Sequence, residues 1–145
     1  MSTQQTAAAV AQSARAPRPA DVLRTGATGI VVALVANLLI LLVGRSAGAD
    51  MVIGPGDSAQ TVGVLPVVIT TLVGFVAGTL LLLVIRNRGR RAWNFVALAG
   101  LVLGIGSVAA PLSMTAESAT HVTLAAMHIV TSLVWFFAVR RGARG

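Results

Sequence analysis

Two histidines, His121 and His128, stand seven residues apart, with Glu117 one helical turn before the first. On a helix this spacing puts both imidazoles on one face, but roughly 10 Å apart along the axis, too far to share one metal ion. Haem ligation needs axial ligands from different helices. No other apolar segment carries a histidine, so only a dimer would supply the pair. Glu117 and His121, at i,i+4 near a helix end, make a surface pair worth only a few tenths of a kcal/mol. His128 lies deeper, where an ionisable side chain is a functional-site candidate by default. The competing account is a neutral imidazole hydrogen-bonded to a neighbouring helix, for example through Asn37.

Other chemistry has less to work with. Ser107 and His128 could pair as nucleophile and base, but Gly104-Ile105-Gly106-Ser107 is not the G-x-S-G pattern of rhomboid proteases. Small four-helix drug exporters match the chain in length, yet they use a glutamate within the first helix, and the corresponding segment here has no acid. No phosphate-binding glycine loop or hydrolase motif occurs. The absence of cysteine removes disulfides, thiolate metal sites and thiol redox chemistry. The chain is therefore expected not to be an enzyme, with no catalytic residue, cofactor or metal.

The elements that hold these residues are apolar. Of 145 residues 56% are apolar and 10% charged, with a mean hydropathy of +0.88, too little charge to clothe a soluble surface. About 20 mostly apolar residues cross the roughly 30 Å hydrocarbon core as a helix. Four stretches qualify, at about 25–44, 61–85, 92–112 and 118–139, and none has a charge in its interior. Backbone polar groups in lipid must be paired within a segment, so helices are expected. The fold class is all-α: an antiparallel bundle of four transmembrane helices in the cell membrane. Residues 1–22, rich in Ala, Gln, Ser and Pro, form a disordered cytoplasmic tail, 23–141 the membrane domain, and 142–145 a short tail.

Arginine fixes the direction. All eleven basic residues are arginine, and ten lie before span one, between spans two and three, or after span four. The opposite loops hold only Arg45, with Asp50, Asp57 and Glu117. Basic loops stay in the cytoplasm, so both termini face inward. Trp93, Phe95, Trp135, Phe136 and Phe137 are expected as an aromatic collar on that side. The net charge of +7 belongs to this topology, so no nucleic-acid partner is expected. The arginines would instead hold anionic lipid, at about 1 kcal/mol each near the surface. A cleaved signal peptide is the competing identity for span one, since Ala47-Gly48-Ala49 resembles a cleavage site. About 25 residues before the apolar run and the intervening Arg45 count against it.

Lipid tails are as apolar as leucine, so helices associate through small residues and hydrogen bonds. Span three spaces Ala97, Gly100, Gly104, Ser107 and Pro111 on one face. Span two offers Thr70, Gly74 and Gly78, span one Gly29, Ala33 and Asn37. Span four carries Glu117, His121, Leu124, His128, Ser132 and Trp135. Gly74-x-x-x-Gly78 and Gly100-x-x-x-Gly104 are expected to pack helices within the chain rather than to form a dimer. At 1.5 Å per residue, Asn37 lies roughly 10 Å, Thr70 about 12 Å, Ser107 about 8 Å, His121 about 5 Å and His128 about 15 Å below the outer surface. These five residues are the candidate polar cluster, lining a pocket that opens outward. A hydrogen-bond network fixing helix register is the plainer alternative. Pro66 and Pro111, at similar depth, are expected to loosen their helices. Gly54-Pro55-Gly56 marks a turn in the first outer loop. Ser113 or Thr115 is expected to cap span four, with Glu117 in its first turn.

Ala36-Asn37 in span one, Val64-Leu65-Pro66 opening span two, Pro111-Leu112 ending span three, Thr120, Met127-His128 and the terminal Arg140-Arg141 form a wider pattern. From about residue 24 to 141 the chain resembles an uncharacterised family of small four-helix membrane proteins of high-GC Gram-positive bacteria. The resemblance implies a location and a fold but no reaction, and it marks Asn37, Pro111, Thr120 and His128 as positions to test. Two function classes follow. One is a non-enzymatic bundle that binds a lipid, a small ligand or a membrane-protein partner, a second copy of itself included. The other is a small transporter or channel subunit built on the polar cluster around His128.

Overall fold

The structure is a computed structural model that describes residues 17–144. The first helix, α1, spans Pro19–Ser46. Proline at its first position loses no hydrogen bond, because that N–H has no partner inside a helix. The Asp21 carboxylate accepts the Arg18 N–H at 3.1 Å and closes the first turn. Helix therefore begins at Pro19, inside the stretch expected as tail up to residue 22. The rest of that tail, residues 1–16, lies outside the described residues.

After α1 the chain makes a small antiparallel hairpin, β1 (Val52–Ile53) and β2 (Gln60–Thr61), with Val52 opposite Thr61. Gly54, at φ +97°, supplies the positive dihedral its turn needs. Helix α2 then spans Val64–Ile85. Pro66 falls in its first turn, where a missing N–H costs nothing, so α2 is not loosened there.

Arg86–Arg88 form a 3-10 turn, and Gly89, at φ +76°, lets the chain reverse into α3, Gly89–Gly106. Gly78 and Gly100 both abut the ring of Trp135. In one straight helix these glycines would stand roughly 33 Å apart, so α2 and α3 run antiparallel, side by side. The short helix α4, Ala109–Leu112, follows a break at Ser107–Val108. Pro111 explains the break, since its ring would strike the carbonyl four residues back, that of Ser107. The Ser107 carbonyl instead accepts the Ala110 N–H at 3.0 Å. The third apolar segment is thus two helices rather than one. Helix α5 spans Ser118–Gly142, with Glu117 at its N-cap and no side-chain cap from Ser113 or Thr115.

Three helical stretches are long and apolar enough to cross a membrane: Pro19–Ser46, Val64–Leu112 and Ser118–Gly142. The 49-residue middle stretch contains the reversal at Gly89. Packing centres on α1 and α5, with α5 also against α3 and α1 against α2, while α2 and α3 touch little. Glycines set the approach. Gly26 takes the Thr79 side chain, Gly29 the edge of Phe75, and Gly44 the Thr123 side chain. Leu and Val crowd the outer faces, as at Val35, Leu39, Val73, Val84 and Leu103, so the protein presents an apolar jacket far larger than soluble surfaces carry.

Two apolar cores sit at opposite ends. At the hairpin end Leu41, Ala49, Met51, Val67, Leu124 and Met127 cluster. At the arginine end Val22, Leu82, Trp93, Ala97 and Val139 are fully enclosed. The aromatic collar is accordingly only partial. Trp93 is 1% exposed inside the arginine-end core, and Trp135 fills the gap between α2 and α3, edge-on to Phe75 at 5.8 Å. Phe95 and Phe137 do face outward, and Arg140 covers the half-buried Phe136 ring at 5.1 Å.

Candidate functional site

Between Trp135 and the hairpin, α2 and α3 leave a gap of about 490 Å³, backed by α5. Pro66, Val67, Thr70 and Thr71 of α2 line one side. Gly104, Ser107, Ala110 and Pro111 line the other, and Leu124, Met127, His128, Thr131 and Ser132 form the back. Asn37 reaches in from α1, and Ile53, Gln60, Thr61 and Val62 roof the cavity. The break forced by Pro111 sits on its wall, so the same proline that interrupts α3 shapes the cavity.

Asn37 is 3% exposed. Its amide nitrogen donates to Thr71 Oγ1 at 3.1 Å and to Thr131 Oγ1 at 2.9 Å. Its Oδ1 is buried with no partner among the described residues. His128 Nδ1 lies 2.8 Å from the Leu124 carbonyl. A carbonyl only accepts, so Nδ1 carries the hydrogen, and in the neutral imidazole Nε2 is an acceptor. Asn37 and His128 share the cavity but do not bond to each other, and Asn37 pairs instead with the two threonines.

The hydroxyls around them are engaged with their own helices. Thr70 Oγ1 donates to the Pro66 carbonyl at 2.8 Å, Ser107 Oγ to the Gly104 carbonyl at 2.6 Å, and Ser132 Oγ to the His128 carbonyl at 2.5 Å. Ser107 thus gives its hydrogen to a carbonyl and not to His128. Among the described residues no cluster of His, Cys, Asp or Glu could hold a metal.

Of the five residues expected in the polar cluster, Asn37, Thr70, Ser107 and His128 line this one cavity. His121 does not. Its Nε2 lies 3.0 Å from the Met114 carbonyl, tying α5 to the loop before it. Glu117, expected to pair with His121, accepts the Asp50 N–H at 3.2 Å. Of the four glycines expected to pack helices, Gly78 and Gly100 bear on Trp135 and Gly104 on Ser132. Gly74 is exposed, with open space around it among the described residues, so it packs no helix here. The buried stripe of α2 is Val67, Thr71, Phe75, Thr79 and Leu82, one residue round from the expected face. Thr71 and Thr131, the partners of Asn37, carried one usable signal: Thr131 falls three residues after His128, on the same face of α5.

The roof is held by a network that sequence patterning does not reveal. Met51 donates its N–H to Thr120 Oγ1 at 3.0 Å, and Thr120 donates to Asp50 Oδ1 at 2.9 Å. The same carboxylate oxygen accepts the Val52 N–H at 2.9 Å. These two bonds, the Val52 one first, hold the Asp50 carboxyl below its ordinary pKa. Gly54 donates to the Thr115 carbonyl at 2.8 Å, and Arg45 reaches the Val62 carbonyl at 3.4 Å.

At the other end a second groove, about 330 Å³, runs between the start of α1 and the end of α5. Asp21, Arg24, Thr25, Thr28 and Arg141 are among the residues lining it.

No curated protein and no solved structure matches the chain. A family description does, over residues 17–145, nearly the whole length. The chain belongs to DUF6069, a family of unknown function.

Proposed function

We propose that this protein crosses the cell membrane four times, with both termini in the cytoplasm, and binds a small molecule in the cavity between α2 and α3 without transforming it. Support for the topology comes from the reversal at Gly89. It brings the arginines of the α2–α3 turn to the end where Arg24 and Arg141 share a groove. The hairpin, with Asp50 and Asp57, then lies outside.

One observation carries the binding role. A cavity of about 490 Å³, mostly apolar, carries a few polar side chains, Thr70, Ser107 and His128, on its wall. Ligand sites have this size and this mixture of apolar wall and a few convergent polar groups. Transport finds less support, because the arginine-end core of Val22, Leu82, Trp93 and Val139 is fully packed beneath the cavity. The groove with Arg24 and Arg141 is the natural seat for an anionic lipid headgroup, which would anchor the protein.

The chain has no cysteine, so single cysteines test the cavity cleanly. Ala110→Cys and Thr131→Cys should react with a membrane-impermeant maleimide added outside intact cells. The lipid-facing controls Val102→Cys and Leu103→Cys should not. Equal reactivity of the two sets would remove the outward cavity. Native mass spectrometry of protein released gently from membranes should then show a retained small molecule.

A further inference from the structure

The wall of the cavity has a hydrogen-bond polarity of its own. Thr70, Ser107 and Ser132 have each committed their single hydroxyl hydrogen to a backbone carbonyl. What they present to the cavity is therefore lone pairs. His128 adds another acceptor, Nε2, because Nδ1 donates to Leu124. Asn37 Oδ1 is enclosed and unpartnered behind this wall, out of reach of a molecule in the cavity. Within the helical walls the hydrogens left over are those of Thr71 and Thr131, whose oxygens accept from Asn37, while Gln60 and Thr61 of the roof bring donors at the hairpin end. Turning the Asn37 amide end for end would spend those two hydrogens and free two on nitrogen. The excess of acceptors in the helical walls remains.

No charged side chain lines the cavity among the described residues. An anion would enter without a cation to meet it, and a cation without a carboxylate. Either would lose its hydration for no compensation. The rest of the wall is Val62, Pro66, Val67, Leu124, Met127 and similar apolar groups.

Resting on the ligand-binding role proposed above, we infer that the cavity selects a neutral apolar molecule carrying a hydroxyl: an alcohol or phenol rather than its ether or ketone, and rather than any ion. The hydroxyl hydrogen goes to an acceptor at His128 or Ser107, and its oxygen accepts from Thr71 or Thr131. An ether offers no hydrogen, so the acceptors it covers stay unpaired, and that loss is the basis of the discrimination.

The test uses a matched pair, 4-phenylphenol and its methyl ether, with Ala110→Cys protein in bilayer nanodiscs. Each compound is titrated for its power to slow maleimide modification of that cysteine. The phenol should protect about tenfold more tightly than the ether. Ser107→Ala and His128→Phe, each in the Ala110→Cys background, should lower that ratio. Ser107 sits at an exposed helix end, so its alanine variant reports even if the histidine variant folds poorly. Equal protection by both compounds, or tighter protection by the ether, overturns the inference while leaving a binding cavity in place. Protection by neither, with the cysteine still more reactive than Val102→Cys, also overturns it. A cysteine no more reactive than Val102→Cys removes the cavity and the binding role with it.

Discussion

Asn37 on α1 and Thr131 on α5 stand 94 residues apart in sequence and 2.9 Å apart in space, the amide nitrogen donating to the hydroxyl. The same nitrogen donates to Thr71 on α2 at 3.1 Å. One side chain therefore ties three helices together at mid-depth, between two apolar cores that would otherwise be free to slide. In lipid such a tie matters for register more than for total stability, since apolar faces there meet lipid and protein on equal terms.

The energetic expectation is correspondingly modest. Interhelical hydrogen bonds in membranes average about 0.6 kcal/mol, so Asn37→Ala should cost about 1–2 kcal/mol once the lost packing is added. Asn37→Leu should cost less, because it removes the unpartnered Oδ1 and refills the space. A double-mutant cycle of Asn37→Ala with Thr131→Val, read by unfolding in bicelles, should give a coupling of about 0.6 kcal/mol. Additive losses would mean that the bond does not hold in the folded protein.

Trp135 offers a sharper steric test. A methyl group on Gly78 or Gly100 would fall on its indole ring, whereas one on Gly74 would meet nothing. Gly100→Ala should destabilise by about 1–3 kcal/mol through overpacking. Gly74→Ala should be neutral or slightly stabilising, since alanine is the better helix former. Trp135→Phe should recover part of the Gly100→Ala loss. The same thermal unfolding series covers these three variants and the Gly100→Ala, Trp135→Phe double, and equal effects at Gly74 and Gly100 would contradict the packing.

The contrast between Gly74 and Gly78 also marks where the sequence was legible. The apolar segments, the arginine-rich regions and the Gly29–Ala33–Asn37 face were readable because charge and residue size separate cleanly there. On α2 they do not. The helix is apolar on every side, and Thr70 and Thr71 are adjacent, about 100° apart on the helix. Small residues suggested the Thr70–Gly74–Gly78 face. Helix α1, however, already supplies the hollows, at Gly26 and Gly29, so α2 answers with the knobs Phe75 and Thr79. A single sequence does not say which partner brings the glycine. The tryptophans misled for a related reason: at a helix end they suggest an interface, but α2 and α3 leave a gap that only a large ring fills. The hairpin roof was illegible because its order comes from Asp50, Thr120 and Glu117, residues remote in sequence and without periodicity.

That roof should respond to acid with a defined sign. The Asp50 carboxyl is held below its ordinary value of 3.8 by the Val52 N–H and the Thr120 hydroxyl. A carboxyl with a lowered folded pKa contributes stability that is fully present above the unfolded value and lost as pH falls through the folded one. Hydrogen exchange at the Met51 and Val52 amides should therefore be unchanged from neutral pH to about 5, after correction for intrinsic rates, and should accelerate below about pH 4. Asp50→Asn should expose both amides at every pH and flatten the profile. A wild-type profile that is already flat would show that the carboxylate does not hold the roof.

Pro111 is the residue on which the shape of the cavity most depends. Its ring forbids the Ser107 carbonyl a regular helical position, and it leaves that carbonyl to the Ala110 N–H. Pro111→Ala restores a donor at position 111 and removes the clash, so α3 and α4 should join into one helix. Exchange of the amides from Val108 to Leu112 should slow. The hydroxyl of Ser107, now inside a regular helix, should turn with the backbone and narrow the mouth between α2 and α3. Modification of Thr131→Cys from outside should then fall several-fold in the proline variant relative to the parent. Slower exchange without lower reactivity would assign Pro111 to helix geometry alone. Unchanged exchange would mean that the break at Ser107 has another cause.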